Sequence, residues 1–261
     1  MDHAPQADVS GFWAIPDLPG DTYVWALAQL HQRLKPRRYL EIGTESGLTL
    51  ALAECASIAV DPNFRVHRDI IGRKPSCYLF QMTSDQFFQK HLSLDEPMID
   101  FAFIDGLHHF EQTLRDFMNV ERHVTTGAVI MLHDCIPTDA YAARREYDDK
   151  TFLNHTRFPR SYWAGDVWKV LPILQEYRPD LKLHIFNAQP TGLVAVTRLE
   201  PKSNILQQAY SEIVQRFMPL TVPDYSKLKL LGASTIADVL GSSRLAFNPS
   251  ASLVGAPVPK P

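Results

Sequence analysis

Between Arg38 and Leu199 short apolar runs alternate with longer amphipathic ones, and this alternation restricts the fold more than any other feature of the chain. Residues 39–43, 57–61, 77–81, 99–104 and 128–132 read as strands, and residues 46–56, 108–124 and 167–177 as helices. In 108–124 the apolar positions Phe110, Leu114, Phe117, Met118 and Val124 recur near the 3.6-residue helical period. Strands separated by helices pair in parallel, with the helices covering both faces of the sheet. The run 128–132 is apolar throughout, which suits a strand buried on both sides. A last pair, 183–186 and 193–197, is linked around Pro190-Thr191-Gly192, too tightly for a helical crossover, and so pairs antiparallel. The expected fold is α/β: a doubly wound, mostly parallel seven-stranded sheet with an antiparallel edge strand.

Composition agrees with that fold and removes other classes. The chain is 45% hydrophobic and 21% charged, ordinary for a soluble globular protein. Its 26 basic residues are outnumbered by 29 acidic ones, which argues against a nucleic-acid partner. No apolar run approaches the roughly 20 residues that span a bilayer, and no basic segment followed by an apolar core opens the chain. Neither a membrane partner nor a secretory signal is therefore expected. Cys55, Cys77 and Cys135 are odd in number, lack a CxxC pairing and sit in apolar segments, so they read as free thiols in a reducing, cytoplasmic setting.

Few of the 19 prolines fall inside the expected elements; many punctuate the two ends. The chain accordingly divides into an N-terminal segment (1–21), one domain (22–200), a helical extension (201–240) and a tail (241–261) read as mobile. A helix over 22–34, with Asp21 as its N-cap, opens the domain, and 203–218 and 234–240 supply the helices of the extension. The first helix and the extension are the candidate contacts of a homo-oligomer.

Open doubly wound sheets bind ligands beyond the carboxyl ends of their strands, where the strand order reverses. The first such loop is Glu41-Ile42-Gly43-Thr44-Glu45-Ser46-Gly47. Gly43 and Gly47 let the backbone turn sharply and come close to a ligand. Glu45 stands where a dinucleotide fingerprint needs its middle glycine, and its carboxylate disfavours a phosphate; the lysine of a P-loop is missing as well. Glu41 suits a ligand with a positive, amino-acid-like end. Asp61, about 20 residues beyond the loop, can accept hydrogen bonds from both hydroxyls of a ribose. Phe64 is placed to stack on a base, and the polar turn Thr83-Ser84-Asp85 falls where an adenine edge would lie. Singly, Gly43 is also a turn glycine and Asp61 a cap; as an ordered set on consecutive strand ends they favour an adenosyl ligand.

The fourth and fifth strands end in Asp105-Gly106-Leu107-His108-His109 and His133-Asp134-Cys135, on the same rim. Asp105, His133 and Asp134 can converge on a divalent cation; two carboxylates suit Mg²⁺ or Mn²⁺, and the imidazole tilts the choice toward Mn²⁺ or another transition metal. His108, three residues past Asp105, is the candidate general base for an acceptor hydroxyl. The long connection 136–166 starts beside these residues and carries Tyr141, Arg144, Arg145, Tyr147, His155, Arg157, Arg160, Tyr162 and Trp163. Connections of this length are usually functional or disordered. His109, Trp163, Asp166 and Lys169 are candidate substrate contacts, with Asp166 equally readable as a helix N-cap.

These motifs resemble the class I S-adenosylmethionine-dependent methyltransferases over roughly residues 22–199. The resemblance implies a Rossmann-like methyltransferase fold and S-adenosylmethionine as cofactor. Motif I spans Leu40 to Gly47, so Glu41, Gly43 and Gly47 would serve the methionine part, with Thr44 and Ser46 also on the cofactor, Asp61 the ribose, and Thr83 and Ser84 the adenine. Asp105, His108 and Asp134 are further similar to the small metal-dependent O-methyltransferases of the catechol and macrolide-sugar types. That resemblance implies methyl transfer to a small-molecule oxygen with Mg²⁺ or Mn²⁺, Asp105 lying between cofactor and cation. His133 departs from the sugar-type pattern, which carries glutamate there. Two other readings stay open on the sequence alone: a metal-dependent hydrolase or oxygenase on the same rim, and a non-catalytic protein with this fold.

Overall fold

The computed structural model describes residues 18–90, 99–148, 162–221, 229–236 and 239–240. The expected N-terminal segment therefore lies almost wholly, and the expected tail wholly, outside the described residues. Eight strands form one sheet: β1 (Arg38–Ile42), β2 (Ala56–Val60), β3 (Cys77–Phe80), β4 (Ile99–Ile104), β5 (Val124–His133), β6 (Lys182–Phe186), β7 (Leu193–Thr197) and β8 (Leu230–Leu231). Their order is β3-β2-β1-β4-β5-β7-β6-β8. The first five are parallel, whereas β7 runs antiparallel to both β5 and β6. The mostly parallel, doubly wound sheet of the Rossmann-like methyltransferase fold is thus present, with its antiparallel element on the β6 side. The sheet is one strand larger than expected, because Leu230 and Leu231 of the extension pair in parallel with Ile185 and Phe186.

The chain winds outward from β1 to β3, then returns to place β4 on the other flank of β1. The strand order reverses there, and the crevice at the carboxyl ends of β1 and β4 follows from it. Alternation along the central strands divides the core in two. Leu40, Ile42, Ala102, Ile104, Ile130 and Leu132 face one side. That side is covered by α2 (Ser84–Lys90), α3 (Phe110–Glu121), α4 (Val170–Tyr177) and α5 (Ile205–Phe217). Tyr39, Phe101, Phe103, Val129 and Met131 face the other, beneath Ala26, Leu27, Leu30 and Leu34 of α1 (Tyr23–Leu34).

Four local expectations need correction. Thr22, rather than Asp21, caps α1: its hydroxyl accepts from the Trp25 N–H at 3.2 Å. Residues 46–56 make only a 3₁₀ turn at Leu50–Leu52. Glu45 (φ 43°) and Gly47 (φ 76°) are left-handed, and β2 already begins at Ala56, so little chain remains for a helix. Thr83-Ser84-Asp85 is the start of α2 instead of an open turn. Its signal was a capping box: Thr83 Oγ1 accepts from the Gln86 N–H at 3.3 Å, and Gln86 Oε1 accepts from the Thr83 N–H at 3.2 Å. Residues 167–177 split into a 3₁₀ turn (Val167–Lys169) and α4. No helix among the described residues is long and apolar enough to cross a membrane.

Candidate active site

A cavity of about 870 Å³ lies over the carboxyl ends of β1, β2, β4 and β5. Gly43, at the end of β1, explains how two strand ends can close so tightly beneath it. Its φ is +85°, and a Cβ there would lie 1.8 Å from the Asp105 carbonyl oxygen. Across the turn, Asp61 organises the first loop: one carboxylate oxygen accepts from the Glu45 N–H at 2.8 Å and the other from the Asn63 N–H at 2.6 Å. Each of those oxygens keeps a second acceptor direction for a ligand. Ser84, Gln112 and Asp116 form a polar wall farther along, with Gln112 Nε2 donating to Asp116 at 3.0 Å and to Ser84 at 3.1 Å. Burial lifts the Asp116 carboxyl to about 6, against bonds from Ser84 and Gln112 that lower it. Pro62, Leu107, Ile42 and Val60 are the apolar walls of the same space.

At the β4 and β5 ends, Asp105, His108, His133 and Asp134 meet. His108 Nε2 lies 3.0 Å from Asp134 and 3.4 Å from Asp105, while His133 Nδ1 lies 3.3 Å from Asp105 and 3.4 Å from Asp134. His108 Nδ1 is 3.0 Å from the Trp163 carbonyl, which can only accept, so that nitrogen carries a proton. Nε2 faces two carboxylates, which favour a proton there as well, while burial opposes the charged ring. The carboxylates prevail: Asp134 and Asp105 raise His108 to about 9 and His133 to about 10. Asp105, in return, is held well below the usual carboxylate range by His133 and His108 despite its burial. The Thr191 hydroxyl donates to Asp134 at 2.6 Å, fixing the second carboxylate.

Backbone strain gathers in the same place. Glu45, His108 and Asp134 are left-handed non-glycine residues, and all three line the cavity. Such conformations cost on the order of 1–3 kcal/mol each and persist where the surroundings over-determine them. At His108 that support is visible, because its carbonyl accepts from the Asp166 N–H at 3.2 Å and Gly165 packs against it. Tyr23 closes the cavity from α1. The Tyr23 N–H donates to Gln189 at 2.8 Å, and its ring lies 4.1 Å from the His133 ring. Burial, then the nearby Asp105 and Asp134, push the Tyr23 hydroxyl far above its ordinary value.

The cavity brings together Gly43, Asp61, Thr83, Ser84, Asp105, His108, His133, Asp134 and Trp163 of the expected site. It does not bring Glu41, Thr44, Ser46, Gly47, Phe64, His109, Asp166 or Lys169 into its wall. Asp166 is buried, accepting from the Phe110 N–H at 2.9 Å at the start of α3, and Lys169 Nζ donates to it at 2.9 Å. Arg145 completes that ion network with Asp166 and Glu111, and His109 lies beside it. These residues therefore hold the connection after β5 against α3. His155, Arg157 and Arg160 lie outside the described residues. Tyr23, Glu45, Gln112, Asp116 and Pro190 line the cavity without having been expected. Gln112 and Asp116 had a legible signal, four residues apart on one helix above the third strand end; Tyr23 had none.

Glu41 sits in the layer of Tyr39, fully buried. The Tyr39 hydroxyl donates to one carboxylate oxygen at 2.6 Å, while the other has no hydrogen-bond partner among the described residues. Burial raises its pKa to about 7, against the lowering effect of the neighbouring hydroxyls. The folded state thus binds a proton more readily than the unfolded chain, and stability falls as pH rises from about 4.5 to 7, by roughly 3 kcal/mol in all. In cofactor-free protein Glu41→Gln is expected to remove that slope, raising stability at pH 8 while matching the parent near pH 4.5. Urea unfolding across this range tests it; a difference independent of pH would refute the assignment.

Residues 40–135 match the family model described as a methyltransferase domain. No curated protein matches the sequence. Distant structural likenesses include cofactor-bound Rv0187 from MTB, at 15% identity and a TM-score of 0.46 over 72% of this chain and 84% of that one. The O-methyltransferase from Bacillus cereus in complex with SAH is similar at 15% identity and 0.46, over 70% and 83% of the two chains. TomG from Streptomyces achromogenes, an O-methyltransferase of tomaymycin synthesis in complex with SAM, has 15% identity and a TM-score of 0.42 over 70% and 83%.

Proposed function

We propose that this chain, an S-adenosylmethionine-dependent methyltransferase by its domain family and fold, methylates an oxygen of a small-molecule acceptor with His108 as base. The observation that carries this reading is the convergence of two carboxylates and two imidazoles in the wall of the cavity that Gly43, Asp61 and Ser84 also line.

The residues fit an adenosyl cofactor. Asp61 has acceptor capacity left for a ribose, Ser84, Gln112 and Asp116 offer both donors and acceptors to a base edge, and Pro62 and Leu107 give it apolar cover. When bound, S-adenosylmethionine supplies a methyl group made electrophilic by its sulfonium. In its neutral form, which the pull of Asp134 and Asp105 makes the minor one below about pH 9, His108 takes the acceptor proton at Nε2; the same carboxylates hold the resulting imidazolium and make His108 a stronger base than free imidazole, so turnover is expected to rise with pH toward 9. The Trp163 carbonyl fixes the ring through Nδ1. The rings of Tyr23, Tyr162 and Trp163 give a flat or sugar-like acceptor an apolar surface.

The donor set also fits a divalent cation. Ligand atoms of Asp105, His108 and Asp134 lie within 4.8 Å of one another, so His108 replaces His133 in the set that converges best. Mg²⁺ or Mn²⁺ held there would supply positive charge beside the acceptor oxygen. Only Nε2 of His108 is free to ligate, because Nδ1 is held by the Trp163 carbonyl, so this ring would serve either the cation or the acceptor proton; where it is the base, His133, which faces the same two carboxylates, would complete the set with Asp105 and Asp134. A cytoplasmic setting accords with the free thiols of Cys55, Cys77 and Cys135.

Calorimetric titration with S-adenosylhomocysteine, with and without Mn²⁺, tests both parts. Binding is expected in both conditions and more tightly with the cation; no binding in either would overturn the reading. Turnover unchanged after exhaustive chelation would remove the cation and leave the base.

A further inference from the structure

A second cavity, of about 770 Å³, opens at the opposite end of the sheet, where α1 ends and β1, β2 and β3 begin. At its floor is His31, 7% exposed. Neither ring nitrogen of His31 has a hydrogen-bond partner among the described residues. The ring meets Tyr39 and Phe101 edge-on, at 4.7 and 5.0 Å. Buried polar groups are rarely left unpaired in folded proteins, so an orphaned imidazole in a cavity wall points to a ligand. Burial first, and Lys74 second, hold the ring neutral at physiological pH by lowering its pKa to about 3. A neutral imidazole offers one donor and one acceptor.

The mouth has a different character. Lys35 is exposed and makes no ion pair among the described residues, while Arg73 is exposed and pairs with Glu54 at 3.4 Å. Ala28 and Leu52 supply apolar wall. Read from floor to mouth, the cavity presents a neutral hydrogen-bonding group, an apolar surface and a surplus cation.

We propose that this cavity is a second ligand site, for a small flat carboxylic acid whose acid end meets Lys35 and Arg73 and whose far end carries a hydroxyl or ring nitrogen for His31. The site shares no lining residue with the rim cavity and does not depend on the methyltransferase reading.

The probe is 4-hydroxybenzoate, titrated into the full chain and followed by calorimetry and by ¹H–¹⁵N spectra of the histidine imidazoles. It is expected to bind about ten-fold more tightly than benzoate, which lacks the hydroxyl, or phenol, which lacks the charge, and to shift the His31 signals. His31→Phe should erase the advantage over benzoate. Lys35→Gly should weaken binding by about three- to ten-fold without harm to the fold, because Lys35 is left-handed at φ 46° and glycine accepts that conformation. S-adenosylhomocysteine affinity should be the same in parent and variants. Absence of binding up to about 10 mM, equal affinity for the three probes, an unaffected Lys35→Gly, or competition by S-adenosylhomocysteine would each overturn the proposal. Should His31→Phe fail to fold, the imidazole shifts and Lys35→Gly decide it.

Discussion

His108→Asn is expected to lower kcat by about 10²- to 10⁴-fold, the usual contribution of a positioned general base. Its affinity for S-adenosylhomocysteine should stay within about two-fold of the parent, since the ring faces Asp105 and Asp134 and not the Asp61 end of the cavity. Asparagine is the replacement of choice because position 108 has φ 60°, where Asn is better tolerated than most side chains. The backbone bond to Asp166 and the packing of Gly165 are then retained, so a loss reports chemistry and not a collapsed loop. The same variant separates the two roles that the geometry gives this residue. Loss of kcat with Mn²⁺ affinity retained identifies a base; loss of both identifies a cation ligand. A kcat within about three-fold of the parent between about pH 6 and 9 would exclude both.

Gly43→Ala should be the most damaging single-methyl change at the rim, destabilising by roughly 3 kcal/mol or more. Two effects add. At φ +85° any Cβ is strained, and here it would lie 1.8 Å from the Asp105 oxygen and 2.5 Å from its carbon, both backbone atoms that no rotamer change can move. Relief requires β1 and β4 to separate, although Asp105 N–H donates to Ile42 at 2.9 Å across that seam. Gly72→Ala is the control: φ is +47° but nothing lies within 4 Å, so only strain of about 1 kcal/mol is expected. Chemical denaturation and S-adenosylhomocysteine titration of the pair measure the difference. If Gly43→Ala were no worse than Gly72→Ala, the close approach would not be what makes this position a glycine.

Much of the rim was legible because it follows from topology. Once 39–43, 57–61, 99–104 and 128–132 are strands of a parallel sheet, Gly43, Asp61, Asp105, His133 and Asp134 must emerge at one end of it. What lay hidden depended on side-chain direction. Glu41 stands two residues before Gly43 and so shares the Tyr39 face of β1, where its carboxylate meets the Tyr39 hydroxyl beneath the cavity floor and not in its wall. Asp166 and Lys169 looked like pocket residues from their place beside Trp163, but a buried carboxylate needs donors, and the free N–H of Phe110 with Arg145 and Lys169 supplied them. The exchange of His133 for His108 in the closest ligand set turned on the left-handed backbone at 108, which no residue type announces. The short helix α2 escaped the sequence despite its signal, because Thr83 and Ser84 read as ligand contacts and not as a helix cap and first turn.

Tyr23 joins the first helix to the last hairpin. The start of α1 is bonded to Gln189, and from there its ring reaches His133, so the cavity wall is assembled from segments at opposite ends of the domain. Such distant pairings form late when a chain collapses, because loop closure opposes them until the intervening strands are in place. A molecule bound in the cavity therefore engages the chain only once the last hairpin has met the first helix. Its binding free energy then adds to the stability of the entire sheet and not to that of one lobe, and grows with ligand concentration by mass action.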